Sequence, residues 1–138
     1  MGKSISEVMT SNPRTVEIST SVVEAARIMK TEDVGPVPIV EGDRLVGMVT
    51  DRDIALRVVA EGKDPQSTPV GEIASRDLVT IDPDQSLDEA GRLMAQHQVR
   101  RLPVVEEDGR LVGIVAQADI AQAGDDSRTG EVVQQISQ

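Results

Sequence analysis

The chain has no cysteine, no tryptophan, tyrosine or phenylalanine, and a single histidine, His97, among its 138 residues. Without cysteine there is no disulfide and no thiol chemistry, which fits a reducing compartment, and a cytoplasmic location is expected. Without aromatic rings no nucleobase can be stacked on an aromatic platform, so single-strand recognition of that kind is excluded. Lys and Arg number 14 against 24 Asp and Glu, a formal charge of −10. Such a field repels a phosphate backbone, so no nucleic-acid partner is expected. No apolar run approaches the roughly 20 residues of a transmembrane helix, and Met1–Ser6 lacks an apolar signal core, so neither membrane nor secretion is expected. The core must be built from Val, Ile, Leu, Met and Ala, and any flat ligand ring has to lie against aliphatic side chains.

Catalytic patterns are missing too. There is no Gly-x-Ser-x-Gly elbow. Gly42-x-x-x-x-Gly47 imitates the opening of a phosphate-binding loop, but Met48-Val49 stands where Lys and Ser/Thr are required. A zinc site wants three or four nitrogen or sulfur ligands, which this composition does not supply. A non-enzymatic protein is expected.

What is present is a repeat. Ile5 to Glu41 aligns without a gap on Val70 to Glu106, with 11 of 37 positions identical, and Arg44 to Ala55 aligns on Arg110 to Ala121, with 8 of 12 identical. Two long copies indicate a duplicated half-domain rather than a solenoid, which needs at least three short repeats. One half of about sixty residues buries little surface by itself, so the halves are expected to pack face to face with a ligand cleft between them.

Each copy reads as a short helix, a strand, a long helix, a β-hairpin and a closing helix. Ser4-Ile5-Ser6-Glu7 is a capping box for a helix ending near Met9, loosely repeated over Thr68 to Ala74. Arg14 to Glu17 and Leu78 to Asp82 read as strands. Ser21-x-x-Glu24 and Ser86-x-x-Glu89 are capping boxes opening the long helices. Val22, Ala25, Ala26 and Met29 recur at helical spacing and predict one buried face, echoed by Leu87, Ala90 and Met94. The hairpins pair Val37 to Val40 with Leu45 to Val49, and Leu102 to Val105 with Leu111 to Val115. Pro38 and Pro103 are expected at edge or first-residue positions. Asp51 to Ala60 and Ala118 to Ala123 close the copies. Residues 5–60 and 70–123 are expected as domains, 61–69 as the linker, and 124–138 as a polar tail, frayed or with a short helix from Glu131 to Ile136.

The element order, with Leu45-Val46-Gly47-Met48-Val49-Thr50-Asp51-Arg52-Asp53-Ile54 in one copy and Leu111-Val112-Gly113-Ile114-Val115-Ala116-Gln117-Ala118-Asp119-Ile120 in the other, resembles the CBS domain. The resemblance covers about residues 5 to 123. It is strongest to stand-alone two-CBS proteins of the mycobacterial hypoxic-response type, through Asp51-Arg52-Asp53-Ile54 and His97-Gln98-Val99-Arg100-Arg101. It implies an α+β fold of two tandem repeats, each β-α-β-β-α, forming one Bateman module. It further implies an adenosine-containing ligand (AMP, ADP, ATP or S-adenosylmethionine) in the cleft, a homodimer, and an allosteric signal to an unknown protein effector.

Carried over residue by residue, the resemblance has Asp53 accept from ribose hydroxyls and Thr50 donate to phosphate at the helix start, where a dipole and free amides favour anions. Arg52 adds a charge-assisted bond, and adenine rests against Val16, Val37 and Pro38 with its edge read near Gly35. No cofactor is required; Mg²⁺ could accompany a nucleotide on Asp51 and Asp53, or on Asp125 and Asp126, the other reading of these carboxylates being solvated surface charge. A second, weaker site comprises Ile81, Arg100, Arg101, Leu102 and Asp119, its arginine pair standing where the first copy has Gly35 and Pro36. The other reading of Thr50-x-x-Asp53 is a capping box that stabilises the helix by about 1 kcal/mol without any ligand. In the second copy Ala116 replaces the threonine, so Asp119 is expected to have lost its reciprocal cap. The competing class is a ligand-free scaffold or interaction dimer.

Overall fold

The computed structural model describes residues 3–127, so the expected helix from Glu131 to Ile136 lies outside the described residues. The two long helices, α2 (Val22–Glu32) and α5 (Leu87–His97), begin where the serines place them. Both stop on a left-handed residue, Asp33 at φ 54° and Gln98 at φ 56°, whose N–H donates to the carbonyl of Met29 or Met94. A non-glycine residue there costs roughly 1–2 kcal/mol, offset by satisfying a carbonyl that the helix end would orphan. In α2 the buried residues are Val22, Ala25 and Ile28, while Ala26 is exposed. The periodicity alone had put Ala26 inside. The face is centred on Ala25, and the next residue sits about 100° around the axis.

The serines do not cap alike. Ser86 Oγ accepts the Glu89 N–H at 3.1 Å, whereas Ser21 makes no side-chain cap bond. The stretch between the repeats replaces it: the N–H groups of Val22 and Val23 donate to the carbonyls of Thr68 (2.9 Å) and Pro65 (3.2 Å). Thr68 is itself buried, and its hydroxyl donates to the Asp64 carbonyl at 2.7 Å. Residues 61–69 therefore act as a folded cap for α2.

Contacts divide the chain into two bodies that are not colinear with the repeats. One comprises Arg14–Leu78 with Gly109–Leu111. Its sheet has the order β2-β3-β4, with β2 (Val16–Glu17) parallel to β3 (Pro36–Glu41) and β3 antiparallel to β4 (Arg44–Thr50). The second copy's short helix, α4 (Val70–Ile73), docks here: Val70 and Gly71 N–H donate to Thr20 and Ile18 carbonyls at 2.7 and 3.1 Å, and Ser75 bridges Met48. Val70 and Ile73 complete a core with Val22, Val37, Ile39 and Val49.

The remaining described residues form the other body, with the sheet order β1-β6-β5. Here the first copy contributes α1 (Ile5–Val8) and β1 (Thr10–Ser11), beside α5, β5 (Arg101–Val105), β6 (Leu111–Ala116) and α6 (Gln117–Ser127). Ile5 and Ser6 N–H donate to Gln85 and Pro83 carbonyls, each at 3.0 Å, the same bonds shifted by one repeat. Thr10 pairs with Ile114, and Ile5 enters the core of Leu102, Val104 and Val115. The repeated glycines lie where the exchanged segments cross. A Cβ on Gly47 would stand 3.1 Å from Ala74 Cβ and 3.2 Å from the Ser75 carbonyl; one on Gly113 would collide with Met9 Sδ and lie 2.9 Å from the Thr10 carbonyl.

Other departures have local causes. The expected strand from Leu78 to Asp82 is a single bridge, Ile81 to Val104. In the first copy the ladder goes on through Ile18 N–H to the Val40 carbonyl at 3.1 Å; Pro83 stands in the matching place without an N–H. Pro38 lies inside β3, the central strand, not at an edge. It is tolerated because β2 runs beside Ile39 and Val40 only, leaving no partner that needs its missing donor. The first closing helix is α3 (Asp51–Ile54) followed by a π turn, Ala55–Val59, whose wider winding turns Val58 into the core. The Arg57 guanidinium fixes that turn to the Ile73 carbonyl at 3.1 Å. Helix α6 instead continues through Gly124 to Ser127, beyond the expected end at Ala123, since one glycine costs a helix only about 1 kcal/mol. Among the described residues no helix is long and apolar enough to cross a membrane.

Candidate ligand site

In the body containing Arg14–Leu78, strand pairing assembles most of the candidate residues. The β3–β4 register sets Pro36 opposite Thr50, and the Asp51 N–H donates to the Gly35 carbonyl at 3.2 Å, so Gly35 lies against the start of α3. Thr50 and Asp53 close a complete capping box: Asp53 N–H donates to Thr50 Oγ1 at 3.1 Å and Thr50 N–H to Asp53 Oδ2 at 2.9 Å. Both are half-buried, and Asp53 Oδ1 makes no hydrogen bond among the described residues. Arg52 is exposed, with no ion pair among the described residues.

The expected apolar wall is divided. Side chains alternate along a strand, so Pro36, Pro38, Met48 and Thr50 share one face while Val37, Ile39 and Val49 share the other. Val16 pairs with Ile39 and so turns the same way as Val37. Val16 and Val37 belong to the core at 6% and 1% exposure. Thus Pro38 sits on the face of Thr50, itself under 2% exposed, and the two valines lie on the opposite face. Sequence reasoning missed Met48 as a neighbour and the contact that Asp51 makes. Half-buried Met48 lies on the Pro38 face, which the two-residue period of the hairpin would have revealed. Asp51 stands over Gly35, its Oδ1 3.3 Å from where a Cβ would be and 2.9 Å from the Arg52 N–H it accepts. No sequence pattern signalled that contact.

The matching place in the other body has the same backbone and different charges. Gln117 N–H donates to the Arg100 carbonyl at 2.8 Å, repeating the Asp51 to Gly35 bond. Ala116 N–H donates to Asp119 Oδ2 at 2.8 Å. Asp119 therefore keeps its own half of the box, while the reciprocal half, a hydroxyl accepting its N–H, is absent at Ala116 as expected. Ile81 and Leu102 are buried at 4% and 0% exposure, like the valines they replace. Arg100 and Arg101 are exposed, with no ion pair among the described residues. A shallow cavity of about 180 Å³ beside Asp119 is lined by Lys3, Glu7, Val8, Gln122 and Ala123. His97 ends α5 on the surface, and among the described residues no three His, Cys, Asp or Glu side chains gather as a metal centre would require.

A duplicated unit of strand or bridge, long helix, hairpin and helix, each closing helix carrying an aspartate as its third residue, defines a tandem-repeat module of α+β class. The CBS domain family model matches residues 5–60 and 70–126, and the chain belongs to that family as a CBS pair, or Bateman module. It is 51% identical over 118 residues to the CBS domain-containing protein YhcV of Bacillus subtilis, covering 86% of this chain and 83% of that one. It is 45% identical over 103 residues to Hypoxic response protein 1 of Mycobacterium tuberculosis, covering 74% and 71%.

Solved structures agree on the fold. Hypoxic Response Protein I, with two coordinated zinc ions, superposes with a TM-score of 0.79 at 40% identity over 87% of this chain and 98% of that one. CBSX2 in complex with AMP gives 0.78 at 27% identity, covering 91% and 98%. The CBS pair of MJ0100 with 5′-methylthioadenosine and S-adenosylmethionine gives 0.78 at 29%, covering 93% and 100%. The sequence here has no cysteine and one histidine, so any zinc ligands would have to be mainly carboxylates.

Proposed function

We propose that this chain is a non-enzymatic, cytoplasmic regulatory module that binds an adenosine-containing ligand, AMP, ADP, ATP or S-adenosylmethionine, and signals to a protein effector as a homodimer. Thr50, Arg52 and Asp53 meet the ligand's sugar and 5′ group, Gly35 and Pro38 meet its base, and Val16 and Val37 back that surface. The equivalent place, Ile81, Arg100, Arg101, Leu102 and Asp119, is the second site. The observation that carries the reading is the Asp53 carboxylate, held rigid by the Thr50 N–H through one oxygen and open to a ribose hydroxyl through the other. Adenosine ligands in CBS pairs of the same fold support it. Signalling requires the ligand to prefer one of two states of the module, typically by 1–3 kcal/mol.

The completed Thr50–Asp53 box favours a second reading, a ligand-free scaffold in which the motif is only a helix cap. A thermal-shift panel of adenosine compounds separates the two. Ligand at 100 times its Kd stabilises the fold by about 2.7 kcal/mol and raises Tm by several degrees. Unphosphorylated adenosine should lose more of its shift with Asp53→Ala than with Asp119→Ala. No shift from any compound at millimolar concentration leaves the scaffold. Because the chain has no aromatic residue, a distinct 260 nm band in the purified protein reports co-purified nucleotide directly.

A further inference from the structure

Resting on that reading, we infer that the two equivalent sites take different classes of adenosine ligand: the Arg100–Arg101 site takes those carrying a 5′ phosphate, and the Gly35–Asp51 site those with an uncharged 5′ group. The two places superpose through the backbone, since Asp51 N–H to Gly35 carbonyl (3.2 Å) in one is Gln117 N–H to Arg100 carbonyl (2.8 Å) in the other. Against that shared frame the charges reverse. At the first site Asp51 and Asp53 outweigh Arg52. At the second, Gln117 and Ala118 replace Asp51 and Arg52, and Arg100 and Arg101 outweigh Asp119.

The reversal bears on the ligand because of where the charges stand. The Asp51 carboxylate lies 3.3 Å from where a side chain on Gly35 would begin, at the place where the other copy has an arginine. Its N–H-directed oxygen is fixed by Arg52 at 2.9 Å, so the negative charge is held over the Gly35 backbone. A phosphate entering there meets a carboxylate at short range. In the second site the arginine backbone is fixed by Gln117 at the start of α6, two residues before Asp119, and both guanidinium groups are exposed without an ion pair among the described residues. An arginine can bind phosphate through two parallel charge-assisted bonds, worth about tenfold or more in affinity. Asp119, anchored to the Ala116 N–H at 2.8 Å, remains placed to accept from a ribose.

The test is calorimetric titration of the full chain with adenosine and with AMP, at low and moderate salt, for the wild type, Asp53→Ala, Asp119→Ala and the double variant Arg100→Gln/Arg101→Gln, each first shown by circular dichroism to be folded. Asp53→Ala, which leaves the second site, should prefer AMP; Asp119→Ala, which leaves the first, should prefer adenosine. The double arginine variant should weaken AMP about tenfold or more while changing adenosine less than about twofold, and salt should weaken AMP alone. Equal AMP-to-adenosine ratios in the two aspartate variants, or AMP binding indifferent to both arginines, overturn this inference while leaving adenosine binding intact. Failure of both compounds to bind the wild type overturns the adenosine reading itself and this inference with it.

Discussion

Replacing Gly113 by alanine adds one methyl group at the point where β1 crosses β6. The new Cβ would collide with Met9 Sδ, would lie 2.9 Å from the Thr10 carbonyl, and would stand 3.0 Å from Met9 Cγ. A methionine side chain can swing away; the Thr10 backbone, paired with Ile114, cannot do so without opening the strand pair. Overpacking of this kind costs about 1–3 kcal/mol. Alanine restricts the unfolded chain more than glycine does, which returns about 0.4–1 kcal/mol. The net expectation is a loss of about 1–2 kcal/mol.

Gly91 supplies the control. It lies inside α5, where an added Cβ meets nothing within 4 Å, so Gly91→Ala should gain about 0.5–1 kcal/mol from helix propensity. The assay is urea unfolding followed by far-UV circular dichroism, since no aromatic residue is present to report by fluorescence. The same chemical change should therefore move the midpoint in opposite directions at the two sites. A Gly113→Ala protein at least as stable as the wild type would refute the crossing of the first copy's leading segment over β6.

The caps make a second pair: Ser86→Ala should cost about 1 kcal/mol, and Ser21→Ala less than about 0.5, because only Ser86 makes a side-chain cap bond. Val58→Ala, at a fully buried position in the π turn, should cost about 2 kcal/mol, while Val59→Ala, 70% exposed, should stay within about 0.5 in the same urea assay. Glu89 is held below its ordinary carboxyl value of 4.5 by the hydrogen bond and charge of Arg92. A lowered folded-state pKa gives stability that is present above the unfolded carboxyl range and lost as pH falls through the folded value. Glu89→Gln should accordingly reduce the acid dependence of stability below about pH 4.5, by little, since Arg92 is exposed and solvent screens the pair.

The repeat, both long helices and both hairpins were legible because they rest on local signals: serines at helix starts, helical apolar spacing and turn glycines. The exchange of α1 and α4 was not. Its mark in the sequence is the glycine kept at 47 and 113, which reads as an ordinary strand glycine until the chain crossing it is seen. The linker's role as cap for α2 was hidden because it is carried by carbonyls of Thr68 and Pro65, which any sequence possesses. At the site, Thr50, Asp53 and Gly35 came together as expected because they flank one strand pair and one helix start. Val16 and Val37 fell on the face opposite Pro38 because composition says that an aliphatic wall exists but only the register says which face it occupies.

Equilibrium dialysis of labelled AMP and labelled adenosine against the purified chain measures the ligand held per chain without any change in protein signal. Saturable binding, with less than half of each compound's wild-type occupancy surviving when Asp53 and Asp119 are both changed to alanine, is the result expected of an adenosine-binding CBS pair. No saturable occupancy by either compound up to millimolar concentration would leave both aspartates as helix caps and nothing more.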